Sequence, residues 1–188
     1  CINRKAAGAG TEFARPLRPD YNGFAMKALV TGSTGFIGAN LVRGLAEAGH
    51  EVRALYRSSS RLDALKGVAY EPSVGDLLEP ASLRSAMQGI DWVFHVGAVS
   101  DYWRQSGTAC LYYINVGGTR NVLQAALDTG VRRVVFTSSA AAVGLPFDLR
   151  NGGNTDRPAT LADESIDFNL PITLSPYGHS KHLAEGGA

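Results

Sequence analysis

The segment Gly32-Ser33-Thr34-Gly35-Phe36-Ile37-Gly38 stands between a short apolar run, Ala28-Leu29-Val30-Thr31, and a stretch where Ile37, Leu41 and Leu45 recur at helical spacing. Glycines at every third position of that junction leave few folds open to the chain. The run, the turn and the periodic stretch read as strand, tight turn and helix. Each glycine has a separate use there: Gly32 permits the sharp bend, Gly35 lets an anion approach the backbone, and Gly38 lets the helix pack closely on the strand. Unpaired amides at the helix start, with the positive end of the helix dipole, then make a place for a diphosphate. A dinucleotide-binding turn, for NAD or NADP, is expected here; the plainer alternative is a Gly-rich strand-to-helix connection.

The same rhythm continues down the chain. The first helix reads as Phe36–Ala48, and Val52–Tyr56, Val68–Val74, Trp92–Val96 and Arg133–Thr137 read as further strands with helical stretches between them. Gly49, Gly67, Gly89 and Gly130 each follow a helical run and precede a strand, where a left-handed cap costs least. Regular alternation of this kind implies an α/β, Rossmann-like, doubly wound parallel sheet with helices on both faces. Gly144–Pro176 breaks the rhythm with four prolines and Asn-Gly-Gly, and is either a surface connection or part of the substrate site. Residues 1–25 show no periodicity, and Met26 reads as the natural start. The expected organisation is an extension or disordered leader over 1–25 and an NAD(P)-binding domain over 26–188.

Composition narrows the partners. With 18 Lys plus Arg against 17 Asp plus Glu, scattered along the chain, a formal net charge of +1 gives no footprint for nucleic acid or an anionic membrane. The hydrophobic content of 45% is enough for a sizeable core. Cys1 and Cys110 have no ligand-like spacing, so no metal site and no disulfide framework is indicated. No apolar run approaches the roughly 20 residues of a membrane-spanning helix. The expectation is a cytoplasmic protein with a small-molecule substrate.

At the end of the second strand, where NAD-selective sites place an acidic residue on the adenosine ribose, the sequence reads Tyr56-Arg57-Ser58-Ser59. Arg57 and its neighbouring hydroxyls suit a 2′-phosphate, which favours NADP over NAD, unless Arg57 is merely solvated at the strand end. Asp76 closes the third strand, where its carboxylate either accepts from the adenine amino group or caps the next helix, with Leu77 near the ring. Tyr177 and Lys181 stand four apart at the start of a helical stretch, on one face. An ammonium beside a phenol stabilises the phenolate and brings it toward a working range at neutral pH. Thr137-Ser138-Ser139 ends the fifth strand, the side on which open α/β sheets bind ligands, so Ser139 either orients a reacting carbonyl or serves as a turn hydroxyl.

In order along the chain, the glycine turn, Asp76-Leu77, His95-Val96-Gly97-Ala98, Asn115-Val116-Gly117-Gly118-Thr119, Thr137-Ser138-Ser139 and Tyr177-Gly178-His179-Ser180-Lys181 together resemble the extended short-chain dehydrogenase/reductases of the NAD-dependent epimerase/dehydratase superfamily. Phe94-His95-Val96, Asp101-Tyr102-Trp103 and Val135–Ser139 resemble its dihydroflavonol reductase-like members and the hopanoid-associated sugar epimerases grouped with them. The resemblance implies Tyr177 as acid/base, Lys181 lowering its pKa and binding the nicotinamide ribose, and Ser139 orienting substrate. It also implies backbone amides of Phe36 and Ile37 on the pyrophosphate, Gly97 and Ala98 as cofactor contacts, and His95 packed beside the cofactor. Asn115 matches a position that kinks or hydrates the fourth helix, or is a buried structural asparagine. The family continues past Lys181 into a small C-terminal substrate domain, whereas this chain stops seven residues later, so a C-terminally truncated form is expected.

The expected function is an NADP-dependent oxidoreductase that reduces a ketone or aldehyde on a small organic substrate. One alternative is an NAD-dependent sugar epimerase or dehydratase, against which Val143 stands where such epimerases commonly carry tyrosine. Another is a non-catalytic NADP-binding sensor or fragment. Helices around Thr119–Ala126 and Tyr177–Ala184 are candidates for pairing in a homodimer.

Overall fold

In the computed structural model, which describes residues 25–100, 108–145 and 166–187, the central strand is β1 (Lys27–Thr31), buried from Ala28 onward. It carries no polar alternation because both of its faces are covered. Along the chain follow α1 (Phe36–Glu47), β2 (Glu51–Tyr56), β3 (Glu71–Val74), α2 (Pro80–Met87) and β4 (Trp92–His95). A short α3 (Thr108–Leu111) runs through a π-helical stretch, Tyr112–Gly118, into α4 (Thr119–Thr129). β5 (Arg133–Phe136), a 3-10 turn over Ala140–Ala142 and α5 (Pro176–Glu185) complete the described elements.

The strands order as β3-β2-β1-β4-β5, and every pairing is parallel. The order reverses between β1 and β4, which opens a crevice beyond their carboxyl ends, where open α/β sheets bind ligands. Leu29, Leu55 and Val93 pack on one face with Leu83 and Met87 of α2 and Val122 of α4. Val30, Val52 and Ala54 pack on the other with Ala39 and Val42 of α1 and with Leu65. Adjacent residues of β1 thus enter different cores, so a one-residue slip would exchange Leu29 with Val30 and misfit both. Burying each such side chain is worth about 1.5–3 kcal/mol, so the register of β1 is held firmly.

The doubly wound sheet agrees with the sequence, and the differences lie at its ends. β3 begins at Glu71, not Val68. Gly67 is left-handed, Val68 N–H closes the preceding turn on Leu65 O at 3.2 Å, and β3 finds its partner only from Arg53 onward. Val68 and Tyr70 still pack into the α1 core. β4 and β5 end one residue early, at His95 and Phe136, although Thr137 N–H still donates to His95 O at 3.0 Å. Gly49, Gly67, Gly89 and Gly130 all take positive φ, as their positions require.

Two local devices bring α5 to the sheet. Asn169 accepts from Leu145 N–H at 2.9 Å and donates to Leu145 O at 2.7 Å, pairing the two ends of the irregular segment as a strand would. The α3–α4 helix widens into its π stretch over Tyr112–Gly118, a form common at functional sites.

Candidate active site

The crevice beyond β1 and β4 is a cleft of about 590 Å³. Its lining includes Gly32, Gly35, Phe36, Ile37, Gly38, Arg57, Asp76, Leu77, Gly97 and Ala98, so every residue expected to contact the cofactor, apart from the Tyr177 and Lys181 pair, falls in one place. Gly32 has φ +65°, and a Cβ there would stand 2.7 Å from Gly97 Cα, so the turns after β1 and β4 touch backbone to backbone. A Cβ on Gly38 would collide with the Gly32 carbonyl oxygen. The turn can therefore close onto the helix start only with glycine at both positions.

Gly35 caps α1 without any side-chain hydrogen bond, and no acidic residue occupies the first turn. The leading amides, Phe36 and Ile37 among them, are left for an anion, and the dipole favours one there. The side chains of Phe36 and Ile37 are exposed at the mouth. Arg57 also lines the cleft, and its backbone N–H donates to Ser60 Oγ, another lining residue, at 3.2 Å. Asp76 does not cap α2, whose N-cap is Glu79; its Oδ1 accepts from Leu78 N–H at 2.9 Å and tightens the turn that presents Leu77. Asn121 of α4 donates to Leu77 O at 2.9 Å and fixes that turn from below. An anion-ready helix start, a glycine cradle that any Cβ would fill and an apolar wall at Leu77 fit a dinucleotide.

Ser139, Tyr177 and Lys181 do not line this cleft. They gather beside it, where α5 meets the turn after β5. Gly178 decides how close that approach is, because a Cβ there would collide with the Ala141 carbonyl oxygen. Ser139 Oγ accepts from Ala141 N–H at 3.2 Å, so its turn role is realised and its hydroxyl stands at the head of the same 3-10 turn. Lys181 is 2% exposed, its Nζ donating to Thr137 O at 2.8 Å and resting 4.2 Å from the centroid of the Phe136 ring. Burial lowers its pKa, an effect that Glu185 partly offsets.

Asn115 joins the two clusters. It is buried in the π stretch, accepts from Val99 N–H at 2.8 Å, and donates to Val99 O at 3.0 Å and to Ser180 Oγ at 3.0 Å. Val99 lines the cleft, and Ser180 Oγ donates to Tyr177 O at 2.7 Å. Asn115 is thus a buried structural amide within the π-helical stretch that leads into α4. His95 does not reach the cofactor cleft; it lies one layer behind the wall, 1% exposed, between Thr31 and Thr119.

The family profile described as "NAD dependent epimerase/dehydratase family" matches residues 28–186, from the second residue of β1 to just past α5. The chain belongs to the NAD-dependent epimerase/dehydratase family. A Synechocystis sp. protein named for dihydroflavonol 4-reductase is 44% identical to this family member over 156 residues, 83% of the chain and 42% of the relative. The 2-alkyl-3-oxoalkanoate reductase of Stenotrophomonas maltophilia is 43% identical over 161 residues, 85% of the chain and 44% of the relative. Among solved structures, UDP-glucose 4-epimerase from Brucella ovis, in complex with NAD, superposes with a TM-score of 0.70 at 29% identity, over 86% of the chain and 46% of that protein. This epimerase/dehydratase chain thus spans less than half the length of the curated relatives it matches.

Sequence reasoning missed several members of the site. Ser60 and Tyr56 line the cleft, and Ser180 ties α5 to the π stretch. Gly178 carried a readable signal: glycine in the first turn of a helix is unfavourable by propensity and implies that something comes close. Asp101-Tyr102-Trp103, on which part of the subgroup resemblance rests, lie outside the described residues, as do Cys1 and the 1–24 segment.

Proposed function

We propose that this chain is the cofactor-binding part of an NADP-dependent reductase acting on a ketone or aldehyde of a small organic substrate. The observation that carries the proposal is Lys181, buried and held against Thr137 O one helical turn from Tyr177, at the carboxyl end of β5. Tyr177 shares its helix face with that ammonium, and its hydroxyl is the group on α5 that can pass a proton to a substrate oxygen. Ser139 Oγ, at the head of the adjoining turn, orients the substrate oxygen to which Tyr177 delivers that proton. Arg57, with no carboxylate beside it at the end of β2, supports a 2′-phosphate and hence NADP. When bound, the nicotinamide supplies hydride. The chain's own share is to bind the diphosphate on the Phe36 and Ile37 amides, to pack Leu77 and Gly97 against the nucleotide, and to place the proton donor.

The test is Tyr177→Phe. Turnover of NADPH with a carbonyl panel should fall to background while NADPH affinity stays within about threefold, because the phenol carries the proton and not the cofactor. Preserved turnover would refute the mechanism. A second reading, an epimerase that retains NAD, is supported by the likeness to UDP-glucose 4-epimerase. Product formation without net cofactor consumption would favour it.

A further inference from the structure

One buried titratable side chain, His95, has no part in the proton transfer just described, yet it stands at the centre of an ordered hydrogen-bond chain. His95 Nδ1 lies 2.8 Å from Thr31 Oγ1, and His95 Nε2 lies 3.0 Å from Thr119 Oγ1. The outer partners settle which nitrogen carries the proton. Thr119 Oγ1 is 2.5 Å from the backbone oxygen of Asn115, which can only accept, so the Thr119 hydroxyl proton goes there. Thr119 Oγ1 must then accept from His95 Nε2–H. At the other end, Gly97 N–H donates to Thr31 Oγ1 at 3.0 Å. The Thr31 hydroxyl proton is left for the lone pair of His95 Nδ1. The sequence Gly97 N–H, Thr31 O–H, His95, Thr119 O–H, Asn115 O runs in one direction with every proton placed. An imidazolium would have two donors facing two hydroxyls, and Thr31 would accept twice while its own proton lost its acceptor.

The two ends of this chain are the two parts of the site. Gly97 is the residue whose backbone touches Gly32 in the wall of the cleft. Asn115 carries on through its own side chain to Val99, to Ser180 and thus to the Tyr177 carbonyl. We propose that His95 is a positioning residue: by accepting from Thr31 and donating to Thr119 it fixes the Gly32 and Gly97 turns relative to the π-helical stretch that aligns Tyr177. The proposal rests on reading the cleft as the dinucleotide site. It adds that cofactor affinity depends on a side chain that never touches the cofactor.

Two substitutions divide the imidazole into its halves. His95→Asn keeps an acceptor where Nδ1 stood and loses the donor to Thr119. His95→Gln keeps a donor near the Nε2 place and loses the acceptor for Thr31. Calorimetric titration with NADPH should show His95→Asn within about threefold of the native chain and His95→Gln weaker by about tenfold or more. A residue that served only the core would weaken both in step with their melting temperatures. A measurement on the native chain guards against a variant that does not fold: the imidazole ¹⁵N spectrum should report the neutral Nε2–H tautomer, with the Nδ1 resonance moving as NADPH fills the cleft. If the native chain binds neither NADPH nor NADH, the cofactor reading falls and this proposal with it. If the native chain binds while both variants bind alike, or while His95 is the Nδ1–H tautomer or its resonance ignores NADPH, the positioning role alone is refuted.

Discussion

Acid should unfold this protein partly through His95, and the size of the effect follows from its surroundings. The imidazole is 1% exposed, and its pKa is pushed down to about 3, first by burial and then by the Lys181 ammonium nearby. In the unfolded chain the same group returns to about 6.5. Between those values the unfolded state holds a proton that the folded state refuses, so stability rises with pH across the window. The contribution is complete above the unfolded value and is lost as pH falls toward the folded one. At about pH 4.5 the loss relative to about pH 8 is roughly 2.5 kcal/mol, from about 1.4 kcal/mol per pH unit below the unfolded value. Urea unfolding of the native chain and of His95→Asn, followed by tryptophan fluorescence at both pH values, isolates it, since the remaining titrations are common to both proteins. The stability gap between native and variant should shrink by about that amount in acid. A gap that stays constant or widens would mean that His95 is not held neutral, and the argument from burial would fail.

Three further substitutions probe separate parts of the site. Gly38→Ala should abolish detectable NADPH binding in a calorimetric titration, because its Cβ meets the Gly32 carbonyl oxygen; Gly44→Ala, on the same helix with open space around it, should bind normally and melt higher by about 1 kcal/mol of helix preference. Arg57→Ser should weaken NADPH by about tenfold and leave NADH unchanged, and equal effects on the two would remove the 2′-phosphate assignment. Gly178→Ala should lift α5 from the Ala141 carbonyl, lowering kcat while NADPH affinity holds, which steady-state kinetics and titration together would separate.

Much of this was legible in the sequence because the Rossmann pattern is local. The β1 run, the glycine turn and the α1 periodicity lie within consecutive residues, and the physics that links them acts over one turn of chain. The left-handed glycines were readable for the same reason. What escaped detection depends on contacts far apart in the chain. The start of β3 was misplaced because Val68 and Tyr70 are apolar for packing against α1, while strand pairing begins only where β2 offers an edge. Asn115 could be placed near a kink by resemblance, but its grip on Val99 and Ser180 joins residues 16 and 65 positions away. The place of His95 beside the cofactor comes from the resemblance alone; the two threonines that hold it behind the wall come from β1 and α4, and nothing near it in sequence announces them.

β5 pairs with β4 alone and forms the outer strand of the described sheet. Among the described residues no strand pairs with its other side, which carries backbone donors and acceptors beside a Val135 that is 40% exposed. Arg132 and Arg133, both exposed, stand at the head of that strand, the Arg133 guanidinium 5.1 Å from the centroid of the Trp92 ring on β4. Like charges on two such edges repel, which is how unavoidable apolar strands are kept from pairing between molecules. That defence is electrostatic and therefore screened by ions. Concentrated, high-salt solutions are accordingly the conditions under which copies of this chain should self-associate through β5.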